Sequence, residues 1–70
     1  GNFGFFIISN GGYGSMLFAY VKSSSQVRIL QIAGDIATGD TVSTEADKVF
    51  YTDTHSRGTS IVIRVFAYIV

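Results

Sequence analysis

Cysteine and proline are both absent from this 70-residue chain, and only one histidine, His55, is present. Without cysteine there is no disulfide and no thiolate metal site. A zinc site of the usual His/Cys kind cannot be assembled within one chain from a single imidazole. Charge is scarce too: 14% of residues are Asp, Glu, Lys or Arg, against roughly 25% in average usage. The five basic and five acidic residues cancel, so the chain has no net field to draw a polyanion. Long apolar runs are also missing. Lys22, Arg28 and Arg64 interrupt the best candidates, and none approaches the roughly 18–20 apolar residues a transmembrane helix needs. No basic-then-apolar leader with a cleavage site occurs. The chain opens on Gly1 rather than Met, as a processed or excised fragment does.

What is present is apolar. Hydrophobic residues make up 47% of the chain. Seventy residues allow one domain, residues 1–70, whose core is small enough to need a staple. With disulfides and metals excluded, partner chains are the remaining staple. Helix signatures are few, and glycine clusters separate β-prone runs. "FGFFIIS" (residues 3–9) stops at Asn10-Gly11-Gly12, residues suited to a tight turn. "SMLFAYVK" follows, with Met16, Phe18 and Tyr20 on one alternate set and Leu17, Ala19 and Val21 on the other. "SSS" reads as a turn, and "QVRILQIAG" as a third strand. "GDIATGD" reads as a loop, "TVSTEAD" as a thin polar strand or edge, and "KVFYTDT" as a short strand. "HSRG" then turns into "TSIVIRVFAYIV". The competing helical turn, capped by Ser43 or Thr44, is opposed by the strand preference of Thr41, Val42 and Thr44. About six strands at a spacing of roughly 8–12 residues predict a small, all-β antiparallel sandwich, jelly-roll-like in layout.

Several motifs invite chemistry and do not sustain it. "NGGYGS" lacks the Lys-Ser/Thr of a phosphate loop and precedes a strand where that loop needs a helix. "GNFGFFI" is superficially like the aromatic motif of RNA-binding sheets, yet its leading basic residue is missing and the chain is neutral. Nucleic acid is therefore not an expected partner. Asp53, His55 and Ser56 lie too close in sequence to converge as a triad, and no second base exists. Asp35, Asp40, Asp47 and Asp53 lack calcium-loop spacing and read as turn residues, Asp35 and Asp40 directly after glycine. No enzyme activity, cofactor or metal is expected. Tyr13, an aromatic between Gly12 and Gly14, is the candidate contact for a sugar or partner ring. Asn10, Tyr51, His55 and Arg57 are the further candidate receptor contacts, Tyr51 and Arg57 as neighbours of Tyr13.

The last strand carries large side chains on both alternate sets. Ile61, Ile63, Val65, Ala67 and Ile69 form one, expected to fill the core. Val62, Phe66, Tyr68 and Val70 form the other, with Arg64 on the same side. A two-layer sandwich has one inner face per sheet, so the second set needs another surface. Copies of the same chain are the economical answer, making Val62, Arg64, Phe66 and Tyr68 the candidate subunit interface. Arg64 either reaches water from an edge strand or pairs across subunits with an acid such as Asp47 or Asp53.

Taken in order, "GFFIISNGGYGSMLFAYV", "VRILQIAGDIATGD" and "KVFYTDTHSRGTSIVIRVFAYIV" resemble the small C-terminal β-domains of bacteriophage tail fibres and related trimeric viral fibres. Ile7, Ile8, Ser9 and Gly11 match the turn-bearing first strand of that pattern, and Ile61–Val70 match its terminal strand. "SRG" replaces the asparagine-glycine pair usual before the last strand. The resemblance implies a homotrimeric tip or module on a virion, without membrane insertion. Such a module trimerises, binds a bacterial surface glycan or protein, or does both. The other class open to the sequence is a small sheet or barrel domain of a cellular adhesin or enzyme, excised as a fragment.

Overall fold

A computed structural model of the chain describes residues 2–35, 38–54 and 61–69, with Tyr13, Tyr68 and Ile69 placed by backbone alone. Among these residues six strands form: β1 (Asn2–Asn10), β2 (Ser15–Lys22), β3 (Val27–Gly34), β4 (Thr41–Glu45), β5 (Lys48–Thr52) and β6 (Ile61–Ile69). They make two antiparallel sheets, one of four strands in the order β3-β2-β1-β6 and one of the β4-β5 pair. No helix of the described residues is long and apolar enough to cross a membrane.

Alternation along the strands decides which face is covered, because successive side chains point to opposite sides. In β1 the even set, Gly4, Phe6, Ile8 and Asn10, is buried, while Phe3 and Phe5 on the odd set are exposed. β2 follows the same rule: Met16 and Phe18 are buried, and Val21 is exposed. The register pairs Phe6 with Phe18 and Ile8 with Met16, so the inward sets of the two strands meet. The Phe6 and Phe18 rings stack at 4.9 Å with 8° between planes. Val42 and Tyr51, one from each strand of the small sheet, pack against this cluster. The core is thus a layer between β1-β2 and the β4-β5 pair.

Turns close as their residues dictate. Asn10 N–H donates to Gly14 O at 3.0 Å across a single 3-10 turn, Gly11–Tyr13. Ser23 N–H donates to Gln26 O at 2.8 Å between β2 and β3. The helical alternative over residues 41–47 does not form. Ala46 takes a left-handed φ of 52° and turns β4 into β5, and Val27 N–H holds the Ala46 carbonyl at 2.9 Å. Gly4 is needed for space: a Cβ there would collide with the Phe66 carbonyl and lie 2.8 Å from the Tyr20 ring.

One expectation is corrected. Ile61, Ile63 and Val65 do not fill the core; Val65 is 60% exposed. The two-stranded sheet packs on β1 and β2, and its β4 strand contacts β3. Among the described residues no further strand remains to roof β6 as well. A cleft of about 260 Å³ is left between Phe6 and Ile8, Val49 and Tyr51 of β5, and Ile63 and Val65 of β6.

Candidate functional site

Two places gather the residues singled out from the sequence. The first is the outer face of the four-stranded sheet, opposite the small one. Register sets Phe5 between Ala19 and Phe66, Phe3 between Val21 and Tyr68, and Ile7 between Leu17 and Arg64. Ala19 in turn faces Leu30. Phe3, Phe5, Val21, Leu30, Val62 and Phe66 are all exposed there, Phe66 to 50%. Of the four predicted interface residues, Val62, Arg64 and Phe66 stand exposed on this face. Tyr68 has its register position opposite Phe3.

Arg64 lies in an edge strand of the sheet, on the outer face. The two acids proposed for it are engaged elsewhere in this chain. Asp47 is 4.0 Å from Lys22, and Asp53 accepts from Asn10. Phe3 and Phe5 of β1 and Leu30 of β3 extend the face across two further strands and were not singled out as interface residues. Their signal was already present: both alternate sets of β1 and β3 carry large side chains.

The second place is a polar network at the end of β1. Asn10, expected as an exposed contact in the turn, is 2% exposed and faces inward with the even set. Its Nδ2 donates to Tyr51 OH at 2.7 Å and to Asp53 Oδ1 at 3.2 Å, and lies 3.4 Å from Asp40 Oδ2. Tyr51 OH donates to Asp40 Oδ2 at 2.5 Å. Asp40 Oδ1 accepts both Thr54 N–H and Thr54 Oγ1–H at 2.8 Å. The proton order is therefore amide to phenol to carboxylate. The reverse amide orientation would aim an oxygen at two carboxylates. Burial, then the hydrogen bond to Asp40, raises the Tyr51 pKa above its ordinary 10.0, since both disfavour the phenolate. Asn10 Oδ1 is buried with no hydrogen-bond partner among the described residues.

The network ties the β1 end to the loop before β4 and to the end of β5. It corrects the reading of Asn10 as a surface contact, and it gives Asp40, read as a turn residue, a buried structural role. Tyr51 is half-buried and belongs to the network. Tyr13 lies in the 3-10 turn, and His55 and Arg57 fall outside the described residues. Among those described, no three His, Cys, Asp or Glu side chains converge as a metal site would require. Neither a family model, nor a curated protein, nor a solved structure matches this chain.

Proposed function

We propose that this chain is a structural and binding module of a fibre of the bacteriophage tail-fibre kind. It assembles with copies of itself and holds its loop end toward a host-cell surface glycan or protein. The observation that carries the reading is the outer sheet face, where Phe3, Phe5, Val21, Leu30, Val62 and Phe66 are exposed together across four strands. A contiguous apolar face of this kind marks an association surface. A trimer about a three-fold axis, with Phe66 and Arg64 turned inward, covers it in the way the sequence resemblance implies. In that trimer the jelly-roll-like layout is completed between copies, because the described residues of one chain supply a two-stranded second sheet.

Native mass and melting temperature across a hundredfold dilution test this. Wild type should behave as an oligomer whose melting temperature falls on dilution. Phe66→Ala, at a position half-exposed within one chain, should weaken that dependence and lower the mass without unfolding the protein. A one-chain mass at every concentration, with melting unaffected by dilution, refutes it. Attachment is tested separately: Tyr13→Ala should reduce binding to host cells and leave the melting temperature unchanged.

A further inference from the structure

The four-stranded sheet ends on two unlike edges. On β3, Val27 N–H is already bonded to Ala46 O, and Gln31 Nε2 donates to the Gly34 carbonyl at 2.9 Å. A register shift opposite Leu17 and Phe18 leaves Ile32 as an extra residue and breaks the run. Such devices blunt an edge against further pairing. β6 has none of them. Its nine residues contain no glycine or proline and one charge, Arg64. They pair with β1 through nine consecutive positions without a shift. Among the described residues no strand lies beyond β6. Ile63 and Val65 are exposed on one face, and Val62 and Phe66 on the other. A strand bonded on one side only presents a row of open N–H and C=O groups on the other.

From these features we infer that β6 pairs with β6 of a second copy, antiparallel about a two-fold axis at Val65, joining two four-stranded sheets into one of eight. A two-fold perpendicular to the sheet keeps the outer faces of both copies on one side, so residues of equal parity oppose each other. Centring on Val65 overlaps the whole strand, with Ile61 opposite Ile69 and Ile63 opposite Ala67. The same register sets Arg64 opposite Phe66 of the second copy, where a guanidinium can lie over the ring. Moving the axis to Arg64 would put two arginines directly opposite one another, a destabilising pair. The occupant is a second copy because the strand is self-complementary in its fully overlapped register, and isologous contacts close. The β3 edge of another copy is already engaged with Ala46. This pairing uses the strand edge rather than the outer face, so it goes beyond the reading above and is tested independently of it.

The cysteine-free chain makes the register directly measurable. Opposed Cα atoms in an antiparallel pair lie about 4.5–5.5 Å apart, inside the roughly 4.4–6.8 Å span of a disulfide. Val65→Cys in the full chain, mildly oxidised, should therefore convert to a covalent dimer on non-reducing electrophoresis. Ile63→Cys and Ala67→Cys should each cross-link alone roughly tenfold more slowly, because neither opposes itself. Mixed together, they should form the 63–67 heterodimer. Equal rates at all three positions, or no bridge at position 65, overturn the pairing. Val65→Lys supplies a second reading: opposed lysines at the axis should halve the native mass, and an unchanged mass also overturns it. An odd-numbered wild-type assembly lacking the 65–65 bridge overturns the edge pairing alone and leaves the outer-face reading standing. A one-chain wild-type mass overturns both.

Discussion

Replacing Asp40 with alanine removes the acceptor that three neighbours share. Tyr51 OH, Thr54 N–H and Oγ1–H, and the Asn10 amide all point to its carboxylate. Their losses are unequal. Thr54 is exposed, so its two donors return to water at little cost. Asn10 is buried and Tyr51 half-buried, so their donors lose an ionic partner without full access to solvent. A hydrogen bond to a charged group contributes about 1.5–3 kcal/mol. Two such losses within one network do not add fully, which places the cost of Asp40→Ala at about 2–4 kcal/mol. Domains of this length are stable by about 4–10 kcal/mol in all. The melting temperature should fall by about 10 °C or more, at about 4–8 °C per kcal/mol. The assay is urea or thermal unfolding at one fixed protein concentration, with Tyr51→Phe and the double variant alongside. The double variant should lose less than the sum of the two singles. A midpoint for Asp40→Ala within about 0.5 kcal/mol of wild type, the ordinary range for a surface change, would refute the assignment of Asp40 as a buried hub.

Phe6→Ala removes one ring of the stacked pair and should cost about 3–5 kcal/mol by urea unfolding; a loss below about 1 kcal/mol would place Phe6 outside the core. Gly4→Ala drives a Cβ into the Phe66 carbonyl, so β6 must move. Amide exchange should speed up along β6 while β2 and β3 stay protected, and uniform protection would contradict that geometry. The raised Tyr51 pKa means the folded state holds the phenol proton more tightly than the unfolded state. That contribution is fully present below pH 10.0, the ordinary value, and is lost as pH climbs through the raised one. Tyrosinate absorbance should show a late-titrating component that Tyr51→Phe removes; a titration curve whose upper end is the same in the variant would contradict the network.

Much of the architecture was legible because its causes are local. Asn10-Gly11-Gly12 and the serine turn mark where β1, β2 and β3 reverse, and hairpin-linked strands lie side by side. Met16, Phe18 and Tyr20 share one face by simple alternation. The place of β6 was not legible: an apolar strand suits either open edge of a three-stranded meander, and only the commitment of Val27 to Ala46 and the bulge at Ile32 distinguish the two. The polar network was hidden for a related reason. Asp40, Tyr51 and Asp53 reach Asn10 across 30 to 43 positions, and nothing near Asp40 in sequence separates a hub from a loop acid. Alternation placed Phe66 on the face away from the core, where it stands half-exposed, but the small sheet's reach, which leaves the inward side of β6 open as well, depends on tertiary placement.

The pairing of β1 with β6 also governs the order in which the sheet can form. Residues 11–60 intervene between the paired positions Asn10 and Ile61, whereas β1, β2 and β3 are joined by short turns. Local hairpins close quickly, and contacts distant in sequence must first meet the entropy of closing a long loop. The three-stranded meander is therefore expected to assemble first, and β6 to dock last. Until it does, the flank of β1 is itself an open edge, beside Phe5 and Ile7. During synthesis that interval lasts until β6 leaves the ribosome. Each nascent chain thus passes through a sticky, unfinished state in which β6 of a neighbouring chain can fill the vacant place beside β1, and strand exchange competes with self-completion.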